Sequence, residues 1–134
     1  MKINTAQLKD IYYTPDHEWI SFQGSIAFAG VAPFKLTGFK EIQEILLHRN
    51  SGFANKGELV ATIRSREYTI CVHMPVDGKI VAINSLLNNS RLLLEQPESN
   101  GWIAQIIPSS PYNREGLLLP KAYQPNGKSK YAKG

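Results

Sequence analysis

Arg64, Ser65, Arg66, Glu67 and Tyr68 lie between two runs of alternating apolar and polar residues, and they gather the most chemically useful side chains of this 134-residue chain into one short stretch. Two arginines on alternate residues can grip a carboxylate or a phosphate, because a planar guanidinium donates two parallel hydrogen bonds. They can equally stand solvated. Glu67 offers a carboxylate for proton transfer or for pairing with a partner's cation. General acid–base work would need its pKa moved toward neutrality, whereas neighbouring arginines push a carboxyl down. A docking charge or a plain surface charge is therefore the better reading than catalysis. Cys71, four residues on, would gain thiolate character beside a guanidinium, but a lone cysteine in an apolar strand reads first as a small packed residue. His17, His48 and His73 have no metal-ligand spacing and no second cysteine, so no metal site is expected. No phosphate-binding glycine loop and no serine–histidine–aspartate constellation is present.

The elements that must position these groups follow from the apolar pattern. Glu58–Ile63 and Thr69–Val76 read as the arms of a hairpin with Arg64–Tyr68 at its tip. In the second arm Ile70, Val72, Met74 and Val76 fall on one face, with Cys71 and His73 on the other. Upstream, Pro15-Asp16 signals a turn into a strand over His17–Phe22. Gln23-Gly24 turns the chain back along Ser25–Val31. Ala32–Phe39 reads as a short helix, with Pro33 suited to its first turn and Gly38 to its exit. Lys40–His48 alternates as a strand with apolar residues on both faces, which predicts a place between layers, and Arg49–Gly57 reads as a loop. Gly78 leads into a strand over Lys79–Asn84. Ser85–Gln96 reads as a helical turn followed by loop, Trp102–Ile107 as the last strand, and Leu117–Gln124 as one or two helical turns. Trp19 and Trp102 are expected in the core. Short strands separated by glycine and proline turns predict a mainly β sandwich or partly closed barrel.

Composition narrows the classes further. Hydrophobic residues make up 43% and charged residues 19%, as in a soluble domain of a single core. No run is apolar and long enough for a membrane span, and the first ten residues lack the apolar segment of a secretory signal. A single cysteine forms no internal disulfide, which points to the cytoplasm. Residues 1–120 are electrically balanced, so the net charge of +4 belongs to Lys121, Lys128, Lys130 and Lys133. Four lysines without arginine or stacked aromatics do not make a nucleic-acid interface. The expected organisation is a loose segment 1–10, a domain over 11–124, and a basic tail over 125–134 that is not expected to fold.

Several segments, taken in order, resemble the glycine cleavage H-protein family. They are Tyr13-Thr14-Pro15-Asp16-His17-Glu18-Trp19-Ile20, Gly30-Val31 with Glu41-Ile42, Lys56-Gly57-Glu58, Pro75-Val76-Asp77-Gly78-Lys79-Ile80-Val81-Ala82-Ile83-Asn84, Asn100-Gly101-Trp102-Ile103 and Ile107-Pro108-Ser109. The resemblance implies a barrel-sandwich hybrid of the lipoyl-domain type with short helical additions. It also implies a carrier whose lipoyl group, held on a lysine at the hairpin tip, takes an aminomethyl group among the glycine cleavage enzymes.

Here the chain departs from the family pattern. The family tip reads E-S-V-K-A, and this one reads Arg64-Ser65-Arg66-Glu67-Tyr68, so the lysine falls on Glu67 and the first acid on Arg64. A carboxylate cannot form the lipoyl amide, and no lysine occurs between Lys56 and Lys79. Glu18, which the resemblance places near the loaded arm's amino group, is kept. The aspartate four positions after the lysine is replaced by Cys71. The expectation is a monomeric, non-enzymatic binding or scaffold module without lipoate, docking protein partners through residues 64–68. The expected partners are proteins, either of glycine cleavage or lipoate metabolism or unrelated to both. The alternatives are an aminomethyl carrier modified elsewhere and, last, a small enzyme using Glu67, Glu18 or Cys71.

Overall fold

In the computed structural model, residues 10–123 are described, apart from Asn89 and Pro111. Nine strands lie among the described residues. They are β1 (Ile11–Tyr13), β2 (Glu18–Gln23), β3 (Ile26–Val31), β4 (Glu44–Leu47), β5 (Gly52–Ala54), β6 (Leu59–Arg64), β7 (Thr69–His73), β8 (Gly78–Ile83) and β9 (Ala104–Pro108). Two 3-10 turns, Pro33–Leu36 and Ser85–Asn88, and one short helix, α1 (Ser90–Glu95), fill the connections. The strands form a six-stranded sheet in the order β1-β2-β3-β9-β8-β5 and a three-stranded sheet in the order β4-β6-β7, with every pairing antiparallel. This is the expected mainly β, two-sheet architecture with small helical additions.

The core lies between the sheets. Ile63, Ile70, Val72 and Met74 from the hairpin pack with Ile80 and Ile106 of the larger sheet, all buried. A bulge between Leu59 and Ala61 lets two consecutive residues, Val60 and Ala61, turn inward. On another face of the larger sheet, Trp19, Phe28 and Trp102 form a second cluster with Tyr13. Trp19 donates its indole N–H to the Pro97 carbonyl at 2.8 Å. Its ring lies so close to Gly30 that a Cβ there would sit 2.9 Å from Trp19 Nε1, so β3 must carry a glycine at that register.

Several elements differ from the sequence expectation. The strand drawn over Lys40–His48 is paired only over Glu44–Leu47, and it is an edge rather than a layer between layers. Leu46 and Leu47 are 41% and 45% exposed. The loop drawn over Arg49–Gly57 contains β5, which pairs with β8; three residues between Ser51 and Asn55 are too few to show a period. The stretch Ser85–Gln96 holds a 3-10 turn followed by a helix rather than a turn followed by loop. Of the one or two helical turns expected over Leu117–Gln124, one hydrogen-bonded turn is found at Leu119–Tyr123, preceded by a bridge from Leu118 to Tyr13 that the sequence did not suggest; Gln124 lies outside the described residues. Asp10, assigned to the loose segment, is held by Arg114, whose guanidinium donates to its carboxylate at 2.7 Å. The rest of the loose segment and the 125–134 tail lie outside the described residues.

Candidate functional site

The two ends of the β6–β7 hairpin carry different chemistry. At the tip, Arg64 pairs with Thr69 in the ladder. The Ser65 N–H donates to the Tyr68 carbonyl at 2.8 Å, and the Tyr68 N–H donates to Ser65 Oγ at 3.1 Å. Ser65 therefore closes the turn with both its backbone and its hydroxyl, and Arg66 and Glu67 become the two central, exposed residues. Tyr68 fixes the tip to the rest of the molecule. Its ring stacks on Phe39 at 5.5 Å, and its hydroxyl lies where a Cβ on Gly38 would be only 2.8 Å away. Gly38 has φ of +91°, so the exit from the first 3-10 turn needs glycine for its backbone as well as for this contact. An open cleft runs between the tip and this loop, lined by Gly38, Lys40, Glu41 and Ser65–Tyr68.

Arg64 is not available in the way the sequence suggested. It is paired with Glu44 across the β4–β6 register, N to O at 2.5 Å. The exposed charges at the two central tip positions are Arg66 and Glu67. Lys40 is an amine beside the tip that counting lysines between positions 56 and 79 could not reveal.

The root of the hairpin is a buried ion network. His17 has φ of +63°, and the turn around it is closed by the Thr14 N–H on the Glu18 carbonyl (2.8 Å) and the Glu18 N–H on Thr14 Oγ1 (3.2 Å). Asp16 and Glu18 are thereby brought together at the start of β2. Lys35, in the first 3-10 turn, places its ammonium 2.7 Å from Glu18 Oε2 and 3.1 Å from Asp16 Oδ2. From β7, the backbone N–H of His73 donates to Glu18 Oε2 at 2.9 Å, and His73 Nδ1 lies 3.0 Å from the same oxygen and 3.2 Å from Asp16 Oδ2. A carboxylate only accepts, so His73 carries its proton on Nδ1. The Glu18 hydrogen bond raises the His73 pKa above the ordinary histidine value, against the opposing effects of burial and of Lys35.

Glu18 thus ties the two sheets together through one oxygen. The side chain of Lys35 has no exposure at all and that of Glu18 only 3%, a placement a charge tolerates only when paired. Asp16, Glu18 and His73 offer ligand atoms within 4.8 Å of one another, a grouping that the linear spacing of the histidines did not show. The Lys35 ammonium stands among those atoms, however, so the chain itself supplies the cation. Of the arm-related pair, Glu18 belongs to this network and Cys71 does not: Cys71 is half-buried, opposite Thr62. Thr69 to His73 spans five residues, four steps or about 13 Å of strand, which separates Glu18 from Glu67. Sequence reasoning missed Lys35, Asp16 and His73. The available signal was a lysine set between Phe34 and Leu36 in an apolar turn.

A third polar group closes the same side of the molecule. Tyr123 stacks on Tyr13 (4.2 Å, 4° between planes) and its hydroxyl lies 2.8 Å from His17 Nδ1. Burial pushes the Tyr123 phenol up to about 12.

Comparison with known proteins agrees with this architecture. The family model of the glycine cleavage H-protein matches residues 11–130. A probable glycine cleavage system H protein of Aeropyrum pernix is 34% identical over 86% of this chain and 81% of its own length. The glycine cleavage system H protein of Thermotoga maritima is 32% identical over 84% and 91%, and the mitochondrial one of Pisum sativum 29% over 87% and 71%. The crystal structure of a glycine cleavage system H protein from Mycobacterium marinum superposes with a TM-score of 0.71 over 84% of this chain and 91% of that one, at 21% identity. With matched sequence from the first strand onward and the two-sheet fold in common, the chain belongs to the glycine cleavage H-protein family.

Proposed function

We propose that this chain is a non-lipoylated H-protein that works as a binding or scaffold module, presenting the Arg64–Tyr68 tip to clefts of partner proteins, and that it is not itself an enzyme. The supporting observation is the chemistry of the two central tip residues, Arg66 and Glu67. The family resemblance implies a lipoyl arm joined through an amide to a lysine at this tip. Glu67, at the position matched to that lysine, presents a carboxylate, which has no nitrogen to acylate. The residues present do not fit the group. What remains is a tip fixed by Ser65 and Tyr68, with one exposed charge of each sign at its two central positions. A small rigid projection of this kind loses little freedom on docking.

Proteins of glycine cleavage or lipoate metabolism are the natural partners for such a copy, and a monomer suffices for the role. The test is affinity capture from native extract with the full chain as bait, followed by intact-mass measurement of the bait. The expected result is an unmodified bait whose partners are lost in an Arg66→Ala, Glu67→Gln double variant. Partners that survive this change would move the contact away from the tip.

A second reading, an aminomethyl carrier, is favoured by the relatives' names and by Lys40 lining the cleft at the tip. A bait carrying a lipoyl or octanoyl mass increment on Lys40 would establish it. An enzyme built from Glu67, Glu18 and Cys71 is the weakest reading, because these residues do not converge on one place.

A further inference from the structure

We infer that Lys35 is a built-in occupant of a primary-ammonium seat formed by Asp16, Glu18 and the end of β7, and that this seat is thereby closed to amines from outside. The inference rests on the geometry around Lys35 and stands whether or not the tip docks proteins.

The carboxylates have partners besides the lysine they hold: Glu18 Oε2 accepts from the His73 N–H, and His73 Nδ1 lies 3.2 Å from Asp16 Oδ2. The turn at His17, clamped by Thr14, fixes Asp16 beside Glu18. The N–H of His73 fixes Glu18 Oε2 from the opposite sheet. The lysine arrives from a separate element, the Pro33–Leu36 turn, which is pinned on both sides. Phe34 packs on the His17 ring at 4.5 Å, and Leu36 is buried in the main core. The ammonium reaches two carboxylate oxygens at hydrogen-bonding distance with its side chain wholly out of solvent. Donated N–H groups, rather than charge alone, satisfy those oxygens. A primary ammonium therefore fits the seat, whereas a quaternary ammonium of the same charge has nothing to donate.

Removing the lysine side chain beyond Cβ removes the atoms of propylammonium and leaves the carboxylates held by the rest of the fold. A Lys35→Ala variant should melt below the wild type. Propylammonium chloride should raise its melting temperature in proportion to the logarithm of concentration once the seat begins to fill. Tetramethylammonium chloride at equal ionic strength should not, and neither salt should protect the wild type specifically. Equal effects of the two salts on the variant, or equal protection of wild type and variant by propylammonium, would overturn the inference.

A measurement on the unaltered protein covers the case in which the variant does not fold. Brief acetylation of the native chain with acetic anhydride, read by peptide mass, should modify the exposed Lys40, Lys56 and Lys79 and spare Lys35. Acetylation of Lys35 at the rate of Lys40 would show the seat open. Partner capture by the tip is expected to persist in Lys35→Ala, so failure of the docking proposal and failure of this one leave different records.

Discussion

The two ends of the β6–β7 hairpin put charge to opposite uses. At the tip, Arg66 and Glu67 are exposed, and water does most of the work of stabilising them. At the root, Lys35 and Glu18 have left water and are stabilised by each other, by Asp16 and by the His73 backbone. The tip can accept substitution at little cost in folding. The root is bound into the joint between the sheets, and change there is felt throughout the fold. One strand pair thus joins an adaptable end to a constrained one.

The largest effect should come from Glu18→Ala. It removes the nearer carboxylate from the buried Lys35 ammonium and takes the acceptor from the His73 N–H, and we expect a loss of about 3–5 kcal/mol, the range for breaking a buried pair from one side, measured by urea unfolding. A loss of under about 1 kcal/mol would mean that the root is no more demanding than a surface pair. Next is Gly38→Ala, where positive φ and the Tyr68 hydroxyl both oppose a Cβ. About 1–3 kcal/mol is expected, together with changed Tyr68 fluorescence, because the tip would have to move off its support.

The pH dependence sharpens the comparison. His73 has a folded pKa above its unfolded value, so its contribution is complete below the ordinary histidine pKa of about 6.5 and is lost as pH rises through the raised folded value. The groups facing it are Glu18 and Asp16, which favour its charge, and Lys35, which opposes it. Unfolding free energy should therefore decline in the wild type as pH rises from the ordinary histidine value through the raised one, and this part of the slope should vanish in His73→Gln. The smallest expected change is at the tip itself. Arg66→Ala and Glu67→Gln should each alter stability by no more than about 0.5 kcal/mol while reducing partner capture. A larger destabilisation would show that the tip is part of the fold's support.

Much of this was legible in the residues. The alternation of Ile70, Val72 and Met74 located the second arm and its buried face, and the arginines and Glu67 marked the tip. The glycine–proline punctuation, with the order of short motifs, led to the two-sheet fold and its family. The root network was not legible, because its members come from a turn, a strand start, a 3-10 turn and the end of a distant strand. Asp16 and Lys35 are 19 residues apart, and Glu18 and His73 55. No local period encodes such a meeting. Arg64 looked free for a related reason: its partner Glu44 lies across a ladder whose register the sequence did not specify. β5 escaped notice because its pairing with β8, rather than any pattern of its own, makes it a strand.

The place of β9 has a consequence for how the chain is made. This strand is the last of the described strands, yet it sits between β3 and β8, pairing Ala27 with Ile106 on one side and Ile80 with Ile106 on the other. While the first hundred residues emerge from a ribosome, β1-β2-β3 and β5-β8 can form only as two separate pieces, each with an open edge facing the missing strand. Assembly of the sheet must wait for residues 104–108, and the waiting edges are open to other strands. A stalled or shortened product ending before position 104 would therefore fail in a particular way, by strand capture between chains, even though the tip and the ion network at the root would already have been synthesised in full.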